Sequence, residues 1–302
     1  MNIWLAEIWR AWRASLRKPG FLLLAAGVLA LGIGASVAVF VLIQQTLLKP
    51  LPVASPQRLV AVGPLDGGVV SAVSPDMYQA LAGMHGVASL GLVEGFSPPV
   101  NIAGAGQPQL IPALHADRGF LATLGVHMAA GRNFSAVEDT LHGPPAVILT
   151  EAFRQRHFGA RRDVIGKELK VEGVAHAIVG VLPSDFELPG VTGDIVLPLG
   201  RPQDDGTNYL AIARLADGAA AASVAAEANA RLHAVVAAWD NAFWRNRRFG
   251  TQGLAANLHA DATPALRMFI ASALLLLLIA WVNLANLMLV RALSVRHELA
   301  VR

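Results

Sequence analysis

FLLLAAGVLALGIGASVAVFVLIQQTLL, Phe21 to Leu48, contains no charged side chain. It is longer than the roughly 20 apolar residues a helix needs to cross a bilayer, so it reads as a membrane-spanning helix, assigned to 19–48. A second uncharged run, MFIASALLLLLIAWVNLANLMLV from Met268 to Val290, lies between Arg267 and Arg291 and meets the same test. It is assigned as the second span, 268–290. A helix of a soluble core rarely runs so far without one charge. A cleaved signal peptide would have an apolar region of about 7–15 residues and a small-x-small site, whereas the first run ends in Thr46-Leu47-Leu48-Lys49.

Composition agrees with two spans. The 302 residues are 54% hydrophobic and 15% charged, with a mean hydropathy of +0.50, too apolar for an ordinary soluble chain. There is no cysteine, which excludes disulfide scaffolds, thiol nucleophiles and iron–sulfur clusters together. The net charge is only +3. Arg10, Arg13, Arg17 and Lys18 against Glu7 give the first flank +3, and Arg291, Arg296 and Arg302 against Glu298 give the last +2. The remainder is therefore −2, and the basic excess is a topology signal with no nucleic-acid footprint. Both termini are expected in the cytoplasm, with a domain from Lys49 to Arg267 (49–267) on the far side and a cytoplasmic segment at 291–302.

Residues 1–18 place Trp4, Ile8, Trp12 and Leu16 four apart, with Trp9 beside that stripe and Arg10, Arg13 and Arg17 on another face. The pattern predicts an amphipathic helix at the cytoplasmic membrane surface, serving either as an anchor in the headgroup layer or as a docking surface for a partner. In the first span Ala26, Ala30, Gly34 and Ala38 form a stripe of small residues suited to close helix packing. The second carries Asn283 and Asn286, three apart, as candidates for interhelical hydrogen bonds.

Between the spans the texture changes to short runs punctuated by Gly and Pro. Arg58–Val62, Pro145–Leu149, Ala175–Val181 and Asp194–Leu197 read as strands, and Pro75–Met84, Asp117–Leu124, Glu151–Phe158 and Ala219–Ala238 as helices. The fold class is thus a membrane protein with two transmembrane α-helices flanking a large extracytoplasmic α/β (α+β) domain, open to a two-lobed arrangement. Catalytic constellations are thin. None of Lys18, Lys49, Lys167 and Lys170 is followed by Ser or Thr, so there is no Walker A loop, and no H-x-x-x-H pair or G-x-S-x-G elbow occurs. His259 and Asp261 come closest to a metal-ligand pair. Trp244-Arg245-Asn246-Arg247-Arg248-Phe249 interleaves aromatics with bases, which outside the cell reads as a solvated or lipid-facing patch. No catalytic, cofactor or metal residue is assigned, and the chain is not read as an enzyme.

Several stretches resemble, in order, one known family. Lys18-Pro19-Gly20-Phe21, Leu29-Ala30-Leu31-Gly32-Ile33-Gly34-Ala35 and Leu47-Leu48-Lys49-Pro50-Leu51-Pro52 resemble the start of MacB-like ABC transporter permeases, particularly the large acidobacterial type. Ser74-Pro75-Asp76-Met77-Tyr78, Phe120–Val126, Gly131-Arg132-Asn133-Phe134, Val164–Lys167, Val179–Pro183 and Ala213–Gly218 resemble that family's periplasmic core domain. Trp281–Leu287 and His297–Arg302 resemble its second span and the segment that follows. The resemblance implies a permease subunit of an export or mechanotransmission system in the bacterial inner membrane, its central domain periplasmic. ATP is then bound by a partner ABC ATPase and not by this chain. Trp4, Trp9, Trp12, Arg13, Arg17, Arg296 and Glu298 become candidates for docking that ATPase or the membrane surface. The lipid bilayer is the other partner, with a second permease copy or a periplasmic adaptor as further ones. Relatives continue beyond the segment matching His297–Arg302 into more spans, so the chain is expected to be the N-terminal part of a longer permease. The competing reading is a membrane-tethered periplasmic binding or scaffold protein, or a non-functional truncated permease; further apolar runs encoded beyond Arg302 would favour transport.

Overall fold

A computed structural model of the chain describes residues 19–46, 51–95, 97–103, 108–159, 161, 163–186, 188, 190–200, 206, 208–239, 241–260 and 262–300. The chain divides into two compact units. One holds the two long helices, α1 (Pro19–Thr46) and, at the other end of the chain, the 39-residue Ala262–Ala300. The other, Pro50–Ala260, is the head.

In the head a 3-10 turn (Pro56–Arg58) leads into β1 (Leu59–Asp66), β2 (Val69–Val70), α2 (Pro75–Ala80) and β3 (Val87–Glu94). There follow β4 (Val100–Ala103), β5 (Gln109–Ile111), β6 (Ala113–Ala116), α3 (Arg118–Leu124), β7 (Ala130–Gly131), β8 (Ala146–Leu149) and α4 (Glu151–Phe158). The remainder is β9 (Glu168–Val171), β10 (Val174–Val181), β11 (Ile195–Pro198), β12 (Tyr209–Leu215), α5 (Ala221–Ala237), α6 (Ala242–Arg245), β13 (Arg248–Gly253) and α7 (Leu254–Leu258). The second long helix, Ala262–Ala300, is α8.

Among the described residues all thirteen strands join one mixed sheet, ordered β13-β1-β12-β3-β6-β11-β8-β10-β9-β4-β5, with β2 beside β1 and β7 beside β10. The pairs β10–β8 and β11–β6 are parallel. Successive strand residues point to opposite faces, and the cores follow that alternation. Leu59 and Ala61 of β1, Ile212 of β12, Val196 of β11 and Ile148 of β8 enter one apolar cluster on a single face of the sheet. On the opposite face Val60, Val62, Ala211 and Ala213 pack under α5, which contributes Val224, Ala228, Leu232 and Val236, four apart on one stripe. Farther along that face Val147, Leu149, Ile178 and Ile195 pack with Phe153 of α4. The two-lobed option therefore resolves as one sheet with a shared core on one side and two separate cores on the other.

The four predicted strands and four predicted helices are all present, although α2 stops at Ala80 and not at Met84. α4 begins where the sequence places it because Thr150 Oγ1 accepts from the Phe153 N–H (3.2 Å) and donates to the Asp194 carbonyl (3.0 Å), capping the helix and tying it to the sheet.

In the two-helix unit, Thr263–Asn286 of α8 is long and apolar enough, by length and composition, to cross a membrane. In α1 the described apolar stretch is the shorter Ala30–Val41. α8 contains the span assigned to 268–290 and extends beyond it on both sides, from Ala262 to Ala300, a length of about 58 Å at 1.5 Å per residue.

Candidate functional site

Three stretches that are remote in sequence, Ser74–Tyr78, Phe120–Val126 and Gly131–Phe134, meet at one corner of the head. Ser74 Oγ caps α2 by accepting from the Met77 N–H (3.3 Å), which with Pro75 in the first turn fixes the helix that presents Tyr78. Asp117 is the N-cap of α3. Its Oδ1 accepts from Phe120 N–H (2.8 Å) and from Leu92 N–H on β3 (2.9 Å), while its Oδ2 accepts from the Tyr78 hydroxyl. One carboxyl group thus joins α2, β3 and α3. This needs backbone-to-backbone contact, and glycine supplies it twice: a Cβ on Gly91 would sit 2.5 Å from the Phe120 Cα, and one on Gly119 would overlap the Leu90 carbonyl oxygen.

A second carboxylate completes the corner. Asp139 accepts from Arg118 N–H (2.9 Å) and from Gly200 N–H (3.1 Å), so two acidic side chains occupy the first-turn donors of α3. Asn133 Nδ2 donates to the Arg118 carbonyl (2.9 Å). Next to it Arg132 makes a two-pronged pair with Glu138 (2.7 and 2.8 Å), and Glu138 also accepts from Ser135 N–H (2.7 Å). A cleft of about 470 Å³ opens here, lined by Tyr78, Asp117, Arg118, Asn133, Phe134 and Asp139.

Burial pushes the Asp117 carboxyl up to about 6, with Asp139 adding to the rise, against the hydrogen bonds from Leu92, Tyr78 and Phe120 that favour its ionised form. Burial and then the Asp117 charge drive the Tyr78 phenol above its ordinary value, and burial raises Asp139. Glu138 is held down to about 2, chiefly by its hydrogen bonds from Arg132. Every oxygen of Asp117 is committed to a donor from another part of the fold, so the cluster acts as a rigid joint. A neighbouring cleft of about 270 Å³ is lined by His115, Glu138, His142 and His176. His115 Nδ1 lies 3.1 Å from Glu94 and 3.3 Å from Ser97, and burial lowers its affinity for a proton. Among the described residues no group of three His, Asp or Glu side chains is placed to hold a metal ion. His259 is buried, and Asp261 lies outside the described residues.

The candidate packing residues fall elsewhere. Ala26, Ala30, Gly34 and Ala38 are all exposed on α1. Among the glycines of α1, Gly32 faces α8: a Cβ there would lie 3.2 Å from the Ala280 Cβ and 3.8 Å from Leu277. Two residues along a helix is a rotation of about 200°, which puts Gly32 on the side opposite Ala30 and Gly34. On α8, Ala273 and Ala280 are buried, seven apart, while Asn283 and Asn286 are exposed, as is Trp281. Trp4, Trp9, Trp12, Arg13 and Arg17 lie outside the described residues; Arg296 and Glu298 lie within α8. The joint at Asp117 was not singled out in the sequence, although an Asp three residues before the buried Phe120, opening a helix, is a legible cap signal.

Residues 22–231 match the model of the family described as MacB-like periplasmic core domain. Among curated proteins none matches. Three solved structures are similar to the chain. The periplasmic region of MacB from Actinobacillus actinomycetemcomitans is 10% identical, with 69% of this chain and 94% of that one covered at a TM-score of 0.49. The extracellular domain of the noncanonic ABC-type transporter YknZ from Gram-positive bacteria is 14% identical, covering 64% and 99% at 0.48. A domain of a Porphyromonas gingivalis protein is 20% identical, covering 67% and 92% at 0.48.

Proposed function

The chain belongs to the MacB-like periplasmic core domain family, and from that premise we propose that it is the permease component of an ABC export or mechanotransmission system driven by a separate ATPase. Membership places it among membrane transport proteins of the inner membrane, with an α/β head in the periplasm; permeases of this kind work with an ABC ATPase. The observation that carries the finer reading is the extent of the match. It runs from Leu22 inside α1 to Arg231 inside α5, so a long apolar helix and the head belong to one family unit.

In this reading α1 and α8 both cross the bilayer and the basic flanks keep the two ends in the cytoplasm. The head moves as a body, because the Asp117 joint and the shared core leave it stiff. ATP is bound by the partner, and the chain itself supplies docking surfaces: Trp4, Trp9, Trp12, Arg13 and Arg17 before α1, and Arg296 and Glu298 near the end of α8. The chain then transmits a displacement and performs no bond chemistry of its own.

Co-purification of the full chain from membranes with each ABC ATPase of the same cell tests this. One ATPase should be retained, and its ATP turnover should change when the chain is present. Substituting Arg13→Glu together with Arg296→Glu should abolish retention. If no ATPase is retained and turnover is unchanged with every candidate, the scaffold reading replaces transport.

A further inference from the structure

One seam in the sheet of the head is built differently from the rest. β3 shares seven residue pairs with β12, and β6 shares four with β11. Between β3 and β6 the described residues register a single pair, Val93 with Ala116. On one side the ladder stops because Asp117 turns away to open α3, and its Oδ1 takes the Leu92 N–H (2.9 Å) in place of a carbonyl. On the other side a side-chain cluster takes over. His115 Nδ1 lies 3.1 Å from Glu94 and 3.3 Å from Ser97, the Ser97 hydroxyl donates to Glu94 (2.7 Å), and Asn208 Nδ2 reaches the same carboxylate (3.4 Å).

The two faces of the seam differ in kind. Val93 and Ala116 enter the core that is shared across the sheet, together with Phe120 of α3. Their neighbours alternate to the opposite face, which puts Leu92, Glu94, His115 and Asp117 there. On that face Leu92 belongs to the core under α5, and Leu197, paired with His115 on β11, belongs to the core that holds Phe153 of α4. A polar line therefore separates two apolar cores. Parting it exposes groups that water can satisfy, at far smaller cost than parting an apolar core. The cleft of about 270 Å³ lined by His115 and Leu197 already brings water to it.

We propose that the head opens along this seam on the face that carries α4 and α5, with the Glu94–His115 pair as its latch and proton uptake by His115 as its trigger. In the closed seam burial holds down the proton affinity of His115, outweighing the attraction of Glu94. The closed form therefore has its full stability above the ordinary 6.5 and loses it as pH falls through the lowered value, whereas an open seam lets the imidazolium meet water. The other groups at the seam act differently. Asp117 sits with Tyr78 of α2 and with Asp139, which also feels Arg118; burial raises both carboxyls, so acid tightens that side. Glu138, lining the cleft, is held near 2 and stays ionised. An opening on acidification thus has to come from His115 or from His142 and His176, the other imidazoles of the cleft. As a control on the stiffness that a transmitted displacement requires, the latch rests on the transport reading; the opening itself does not.

Spin labels at Ala152→Cys on α4 and Ala226→Cys on α5, both exposed positions, stand on the two sides of the seam. Double electron–electron resonance on the full chain in detergent micelles reads the distance between them at pH 7.5 and pH 5. A second pair, Gln79→Cys on α2 with Ala226→Cys, stays on one side and is the control. The cross-seam distance should lengthen by about 3 Å or more at pH 5 while the control distance stays fixed. His115→Asn, which keeps a side-chain N–H for Glu94 and does not titrate, should hold the cross-seam distance at its pH 7.5 value in acid. His142→Asn combined with His176→Asn should leave the lengthening in place, and Glu94→Ala should produce it at both pH values. A cross-seam distance unchanged by acid, or unchanged by Glu94→Ala, would overturn the proposal. So would a lengthening that survives His115→Asn, one that vanishes with His142 and His176, or an equal lengthening of the control pair. No ATPase enters the measurement, so its failure would leave the co-purification result standing.

Discussion

Replacing Asp117 by Asn isolates the joint that holds α2, β3 and α3 together. The amide keeps an oxygen to accept from the Leu92 and Phe120 N–H groups but cannot ionise. In the native chain this carboxyl is raised from 3.8 to about 6 by burial. A carboxyl that binds its proton more tightly when folded contributes stability in full below its unfolded value, and that contribution is lost as pH rises through the folded one. The interval corresponds to about 3 kcal/mol. Between pH 4 and 7.5 the native chain should therefore lose up to about 3 kcal/mol relative to Asp117→Asn. Asp139, also raised by burial, titrates in both proteins, and its charge is one of the causes of the Asp117 rise that the substitution removes. Glu138, held near 2, matters only as pH falls below its ordinary 4.5; His115, lowered by burial, adds stability as pH rises through its ordinary 6.5 but does so in both proteins. Amide hydrogen exchange across residues 87–124 of the full chain, measured from pH 4 to 7.5, reads the difference directly. Parallel profiles for the two proteins would refute the reasoning, because the Asp117 carboxyl would then titrate at its ordinary value.

Asp117→Ala should cost about 2–4 kcal/mol at pH 5, since it removes a helix cap and leaves buried N–H groups unpaired; a loss under about 1 kcal/mol in urea unfolding would mean the corner is no joint. Gly119→Ala should destabilise by about 1–3 kcal/mol in the same assay, as its methyl group meets the Leu90 carbonyl and forces α3 off β3. On the helix pair, Gly32→Leu should separate α1 from α8, read as lost disulfide cross-linking between cysteines introduced on the two helices. Gly34→Leu should leave that cross-linking intact, because a Cβ there has no neighbour within 4 Å. Arg231→Ala should cost about 1–2 kcal/mol, because the guanidinium donates to the carbonyls of Ala80, Ala82 and Gly83 at the end of α2.

The sequence announced those elements whose burial is dense and local. All four residues of β8, Ala146 to Leu149, are buried, and the run is visible as uninterrupted apolar chain between Pro145 and Thr150. The stripe of α5 is equally legible at its four-residue spacing. β3 was not, because Ala88, Ser89 and Gly91 dilute its pattern; Gly91 is there so that α3 can approach, a need that only the packed structure reveals. β1 pairs with β12 across more than 140 residues, Leu59 opposite Arg214, and no local pattern encodes that choice. The Asp117 joint was half legible: the cap could be read, but Tyr78, 39 residues away, arrives through the fold. On α1, small residues occur on every side, so composition could not separate Gly32, which faces Ala280, from the exposed Gly34.

Because the chain has no cysteine, single cysteines placed at Val137 in the head, at Trp4 and at Arg296 can be probed in intact cells with a membrane-impermeant maleimide. Val137→Cys should be labelled from outside, and both Trp4→Cys and Arg296→Cys should react only after the membrane is opened. Labelling of either end in intact cells, or protection of Val137→Cys until lysis, would contradict a periplasmic head held by two cytoplasmic ends.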